Sequence, residues 1–318
     1  MVTRAQGRSV SRLPVRAMVA AVAALAVLLS GAMPVRAAPA GEVAVICDQG
    51  IAPYRALLES LQRACDCTLR LIAPQEAAQP DLEQRLRASG VRAVVAVGLQ
   101  ARAAVEPLRE LPVLLTMVPQ VAPWVAAQPN RAGIEMSLSP RKHLEALRRV
   151  FPRAKRIGVI LDPAQTGGYV LEAQSAAAAL NLSLITREIT RPGEFFPQLE
   201  DLRGQVDVIW VLPDPTVLQG ENLQALLLAS FESRVPLYGF ARKYVEMGAI
   251  AASQHDFAVL SAQVADLIRQ MMSLPAGAVL PRWEYTRGAQ LVLNQKVARK
   301  MGIVIDPEVL EAAADVIR

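Results

Sequence analysis

The chain has 318 residues, 53% of them hydrophobic and 20% charged, which is ample apolar material for one large domain or two smaller lobes. Its formal net charge of +5 comes from 34 basic and 29 acidic side chains. Five of the basic residues (Arg4, Arg8, Arg12, Arg16 and Arg36) lie in the first 37 residues, which hold no acid, so the remainder balances at 29 against 29. Nucleic-acid binding through a basic surface is thereby excluded.

The early arginines precede the apolar run AMVAAVAALAVLL over residues 17–29. That run is shorter than the roughly 20 residues a spanning helix needs and reads as the apolar segment of a signal peptide. Val35-Arg36-Ala37 offers small residues at the two positions a signal peptidase reads, so the mature chain is expected to begin at Ala38 in the periplasm. No cysteine stands near the junction, and no lipid anchor is expected. The three cysteines, Cys47, Cys65 and Cys67, are read chiefly as small apolar packing, with one disulfide as the alternative.

Short apolar runs then alternate with amphipathic segments. VAVIC (43–47) is a continuous apolar strand, followed by a segment with Pro53 in its first turn and Tyr54, Leu57, Leu58 and Leu61 on one helical face. TLRLIA (68–73), AVVAVG (93–98) and PVLLTMV (112–118) predict three further strands, with helices around 81–88 and up to about 105. Ser139-Pro140 predicts a cap and first-turn proline for a helix burying Leu144, Leu147 and Phe151. RIGVILD (156–162), a helix over 166–180, LSLITREI (182–189) and a helix near 194–202 come next. VDVIWVL (206–212) precedes a helix with Leu223, Leu226, Leu227 and Phe231, and VPLYGF (235–240) and AIAAS (249–253) follow. Asp256 caps a long helix with Leu260, Val264, Leu267 and Met271; helices after Asn294 and at Asp306-Pro307 close the chain.

Uninterrupted apolar strands between helices mean parallel sheets covered on both faces. Two such series predict an α/β protein of two Rossmann-like lobes with parallel sheets and a hinge. One continuous doubly wound sheet is the alternative.

Ligands in such sheets sit beyond the carboxyl ends of the strands. The polar residues there are Asp48, Gln49, Gln100 and Thr116 in the first series. The second adds Asp162, Thr166, Tyr169, Asp214, Thr216 and Arg242, and Gly167-Gly168 could cradle an anion at a strand–helix junction. Each alone passes for turn or cap chemistry; six loops converging on one cleft point to binding. Two histidines, His143 and His255, are too few for a zinc site or a Ser-His-Asp triad. With no G-x-S-x-G, Walker A or G-x-G-x-x-G present, no catalysis, cofactor or metal is expected.

Four stretches carry a resemblance: HLEALRRVFPRAKRIGVILDP (143–163), VDVIWVLPDPTV (206–217), PLYGFARKYVEMGAI (236–250) and LNQKVARKMGIVIDPEVL (293–310). They resemble the substrate-binding family of ABC transporters that includes the tryptophan/tyrosine-binding lipoproteins. The resemblance implies a type I periplasmic binding-protein architecture, with two lobes, three crossovers and a ligand closed between them. It also implies that Asp214 faces the ligand, where a carboxylate suits an α-ammonium. On that reading Arg242 meets the opposite charge, Gln49, Gln100 and Thr116 hydrogen-bond the ligand from the first lobe, and Tyr169 lies against its apolar part.

Residues 1–37 are then a signal peptide, residues 38–133 with about 254–281 the first lobe, and residues 134–253 with about 282–318 the second. The expected function is a monomeric periplasmic receptor delivering a small polar or zwitterionic, amino-acid-like ligand to an inner-membrane ABC permease. The alternative is a module signalling ligand occupancy to a membrane kinase or an outer-membrane uptake system. N-terminal sequencing of protein recovered from the periplasm is expected to read from Ala38; a chain retaining Met1 on the membrane would overturn the compartment.

Overall fold

The computed structural model describes residues 41–219, 221–275, 278–280 and 283–318. The expected leader and the cut after Ala37 lie outside the described residues. The first series comprises β1 (Glu42–Cys47), α1 (Ala52–Ala64), β2 (Thr68–Ile72), α2 (Pro74–Ala77), α3 (Leu82–Ala88), β3 (Val91–Val97), α4 (Leu99–Val105), β4 (Val113–Val118), α5 (Val121–Ala126) and β5 (Arg131–Leu138). The second comprises α6 (Pro140–Val150), β6 (Arg156–Leu161), α7 (Pro163–Ala179), β7 (Ser183–Glu188), α8 (Phe195–Asp201), β8 (Val208–Trp210), α9 (Asn222–Ser233), β9 (Leu237–Gly239), α10 (Arg242–Met247) and β10 (Ala251–His255). The chain ends with α11 (Phe257–Ser273), β11 (Trp283–Thr286), β12 (Ala289–Asn294), α12 (Gln295–Lys300), α13 (Pro307–Glu311) and β13 (Asp315–Ile317).

These strands make two sheets, not one. The first runs β2-β1-β3-β4-β5-β11 and is parallel throughout. The second runs β7-β6-β8-β9-β10-β12-β13 and is parallel except where β12 meets β10. All six residues of β4 are buried, as a strand covered by helices on both faces requires. In the first lobe one face packs Val43, Val45 and Val95 against α1 and α11, and the other packs Ala44, Ile46 and Val94 against α3 to α5.

The chain leaves the first sheet after Leu138, not near Gly133. β5 was hidden in the sequence because it carries Arg131 and Glu135, both buried, amid its apolar residues. Arg131 lies over the Trp124 ring at 4.3 Å and pairs with Glu106 at 2.9 Å, which makes the buried guanidinium tolerable. The second crossing follows His255, since β10 runs on past Ser253. The third falls at Arg287-Gly288, because β11 pairs with β5 and still belongs to the first sheet.

Two smaller expectations also change. α7 begins at Pro163 under an Asp162 cap, so Gly167-Gly168 sit inside a helix and not at a junction. Cys65 and Cys67 form a disulfide with Cα atoms 5.2 Å apart, because the end of α1 and the start of β2 are that close, while Cys47 alone packs as a buried thiol.

The crossings press together. The Asp256 N–H donates to the Gly288 carbonyl at 3.4 Å, and Lys142 Nζ donates to the carbonyl of Arg287. A Cβ on Gly288 would stand 3.0 Å from Asp256 Cβ and closer still to Val259. Gly288→Val is therefore expected to destabilise the protein by about 1–3 kcal/mol, the scale of overpacking. Urea unfolding checks this, and an unchanged midpoint would mean that the crossings move apart freely.

Candidate functional site

The carboxyl ends of β6 and β8 are knotted by one side chain. Asp214 is fully buried. Its Oδ2 accepts from the Asp162 N–H at 2.8 Å and the Thr166 hydroxyl at 2.7 Å, and its Oδ1 accepts from the N–H groups of Thr216 and Val217 at 3.0 and 3.2 Å. Asp162 is engaged in turn, accepting from the Ala164 N–H at 2.9 Å and the Thr216 hydroxyl at 2.6 Å. Asp162, Thr166, Asp214 and Thr216 thus form one closed network. Asp214, expected to meet a ligand ammonium, here has both carboxylate oxygens occupied by protein donors.

Arg242 is likewise engaged elsewhere. It is exposed, donates to Glu246 at 2.7 Å and pairs with Asp315 on the edge strand β13. The pair of opposite charges expected to grip a zwitterion is therefore not assembled. In the first lobe, Asp48 accepts from the Gly50 N–H at 2.9 Å and Gln49 and Gln100 are exposed at the sheet's carboxyl edge. Thr116 is buried with its hydroxyl unpartnered.

Beside the knot a cavity of about 250 Å³ opens between the two lobes. Met136, Ser137 and Leu138 of the crossing strand β5 and Pro119 roof it from the first lobe. Trp210, Leu212 and Pro213, the residues just before Asp214, form its floor, and Phe240, Ser253 and His255 line the β9 and β10 side. His143 and Tyr169 complete it from α6 and α7. Of the ten expected site residues, Tyr169 alone lines this space; its ring lies 6.0 Å from Trp210 and its hydroxyl donates to the Leu138 carbonyl at 2.8 Å.

Both histidines of the chain meet here, though the sequence places them more than a hundred residues apart. His143 stacks at 5.4 Å on Trp210 and its Nδ1 lies 3.4 Å from the Tyr238 hydroxyl, which donates to Ser253 at 2.6 Å. His255 Nδ1 and Trp210 Nε1 are buried without a partner. The signal that pointed here was position: Trp210 and Ser253 both stand near the carboxyl ends of their strands. Their apolar neighbours made them read as core.

Burial pushes His143 down to about 3, with His255 adding a smaller repulsion, and pushes His255 down to about 4. Among the described residues no group of three or more His, Cys, Asp or Glu side chains is placed to hold a metal ion.

The family model described as ABC transporter substrate binding protein matches residues 74–317. A tyrosine-binding protein of Clostridioides difficile (strain R20291) is 24% identical over 180 residues, which are 54% of this chain and 52% of that one; the match thus spans about half of the relative. The ABC domain in complex with L-Trp from Streptococcus pneumonia superposes with a TM-score of 0.58 at 20% identity, covering 88% of this chain and all of that one. A ligand-free, open substrate-binding protein from Clostridium difficile gives 0.66 at 17% identity, covering 87% and 99%. At these identities the structures establish the shared fold, two α/β lobes of the type found in periplasmic binding proteins.

Asp214→Asn turns an amide N–H2 toward two of the four donors. Ligand-free protein is expected to lose about 2–4 kcal/mol in urea unfolding, the scale of unpaired buried polar groups. Unaltered stability would show the network to be dispensable.

The histidines predict a pH dependence. Unfolded, both titrate near 6.5. The unfolded chain then binds protons that the folded chain refuses, so stability rises with pH from about 4 to about 6.5 and is lost as pH falls through that window. Each histidine contributes a slope of up to about 1.4 kcal/mol per pH unit. Unfolding between about pH 7 and 5 should show that slope, reduced in His143→Phe.

Proposed function

The chain belongs to the ABC transporter substrate-binding protein family, and from that premise we propose that it captures a small polar solute between its lobes in the periplasm and passes it to an inner-membrane ABC permease. The observation that carries this reading is the cavity between the lobes, with aromatic walls and two buried polar atoms that have no protein partner. Buried polar groups are almost always paired, so such atoms mark where a bound molecule supplies the partner.

Tyr169, Trp210 and Phe240 give the walls a ring-shaped apolar payload to match. L-Trp and tyrosine, named for two relatives, combine a ring with a polar end. At about 250 Å³ the space lies below the usual range of about 300–1,000 Å³ for ligand pockets, which favours one small ring system over an oligosaccharide. Asp48, Gln49, Gln100 and Thr116 of the first lobe then form the opposing wall on closure. Export through the leader and the family's partnership with permeases support the compartment and the destination.

Mass spectrometry of gently purified mature protein is expected to find one small molecule retained at near-equal stoichiometry. X-ray scattering should show a smaller radius of gyration with that molecule than after its removal, as hinge closure requires. A chain that retains nothing and keeps one radius under all conditions would overturn the receptor reading.

A further inference from the structure

The side chains around the interlobe cavity bring no charge into it. Its titratable members are His143, Tyr169 and His255, and burial favours the neutral form of each. The charges at the neighbouring strand ends are engaged: Asp214 and Asp162 by protein donors, Arg242 by Glu246 and Asp315. A carboxylate or ammonium entering this space would shed water without meeting a counter-charge, which is strongly disfavoured.

What the walls offer is hydrogen-bond donors. The Trp210 indole N–H can only donate, its side chain is 1% exposed, and it has no partner. Tyr238 gives its own proton to Ser253 Oγ at 2.6 Å, which leaves the Ser253 hydroxyl proton free to donate into the cavity that Ser253 lines. His255 Nδ1, also unpartnered, lies on the same wall and donates in one neutral tautomer or accepts in the other. Donors held by packed aromatic rings and strand backbone are preorganised for an acceptor.

Resting on the receptor reading above, we infer that this cavity takes an uncharged carbonyl-bearing group, such as an amide, a lactam or a similar heterocycle, read by Trp210, Ser253 and His255, and rejects a free carboxylate or ammonium at that point. The ligand class is thereby distinguished from the free amino acids named for two relatives. Specificity follows from the cost of leaving buried donors unpaired: a ligand without the acceptor forfeits it, and a ligand with a charge lacks its counter-ion.

The test uses three probes that share one ring: indole-3-acetamide, its anionic counterpart indole-3-acetate, and zwitterionic L-tryptophan. Each is titrated calorimetrically into the mature chain freed of retained ligand. The acetamide is expected to bind at least tenfold more tightly than either charged probe, with an affinity flat between about pH 8 and 6. Trp210→Phe keeps a ring but removes the donor and should weaken acetamide binding about tenfold. Where that variant does not fold, Ser253→Ala serves, because it removes a donor with little change in volume. Equal or tighter binding of L-tryptophan or indole-3-acetate would overturn the inference while leaving the receptor reading intact. So would failure of the acetamide to bind, or unchanged affinity in a folded donor-deleted variant. The receptor reading is judged separately, by the retained molecule and the change in radius.

Discussion

Asp214 carries the carboxyl edge of the second sheet. Removing a carboxylate from water is costly, and four donors from two different loops offset that cost only in one arrangement of those loops. The turn into α7 and the loop after β8 are locked to each other through it. Trp210, Leu212 and Pro213 precede Asp214 directly, so the floor of the cavity is placed by the same constraint. Flanking prolines narrow the backbone further. A carboxylate so occupied has its lone pairs taken by protein donors.

A second level of order lies in the first-lobe connection between β4 and α5. Met117 and Gln120 both hold positive φ without being glycine, at 59° and 55°, in the segment that roofs the cavity. Glu135 stabilises that segment by accepting from the N–H groups of Gln120, Val121 and Met136; burial pushes its carboxyl up, and the three N–H donors oppose the shift. Gln120 reaches across to the carbonyl of Gln165 at 2.8 Å, and Tyr285 donates to Glu172 at 2.6 Å. Strained backbone of this kind collects where function demands a set geometry. Here it joins β4, the cavity roof at Pro119 and the helix α5 beyond it.

The two-lobed α/β architecture was legible because parallel strands buried on both faces must be apolar along their length, and RIGVILD, VDVIWVL and PVLLTMV announce that without reference to anything distant. Caps were legible for a similar reason: Ser139 and Asp256 each bond to an N–H two or three residues ahead. β5 was not, because the partners that make Arg131 and Glu135 acceptable inside a sheet come from the helices and loops around them.

For the site, the sequence by itself determined which strand ends would carry polar loops, since strand order along the chain sets them out one after another. Which of those residues stay available to a ligand was decided only by the tertiary structure. Asp162, Thr166, Asp214 and Thr216 satisfy one another across about fifty residues of chain, and such pairing has no local signature. His143 and His255, which read as isolated, become neighbours because β10 brings one beneath the helix that carries the other, and the water excluded by that packing is what keeps both neutral.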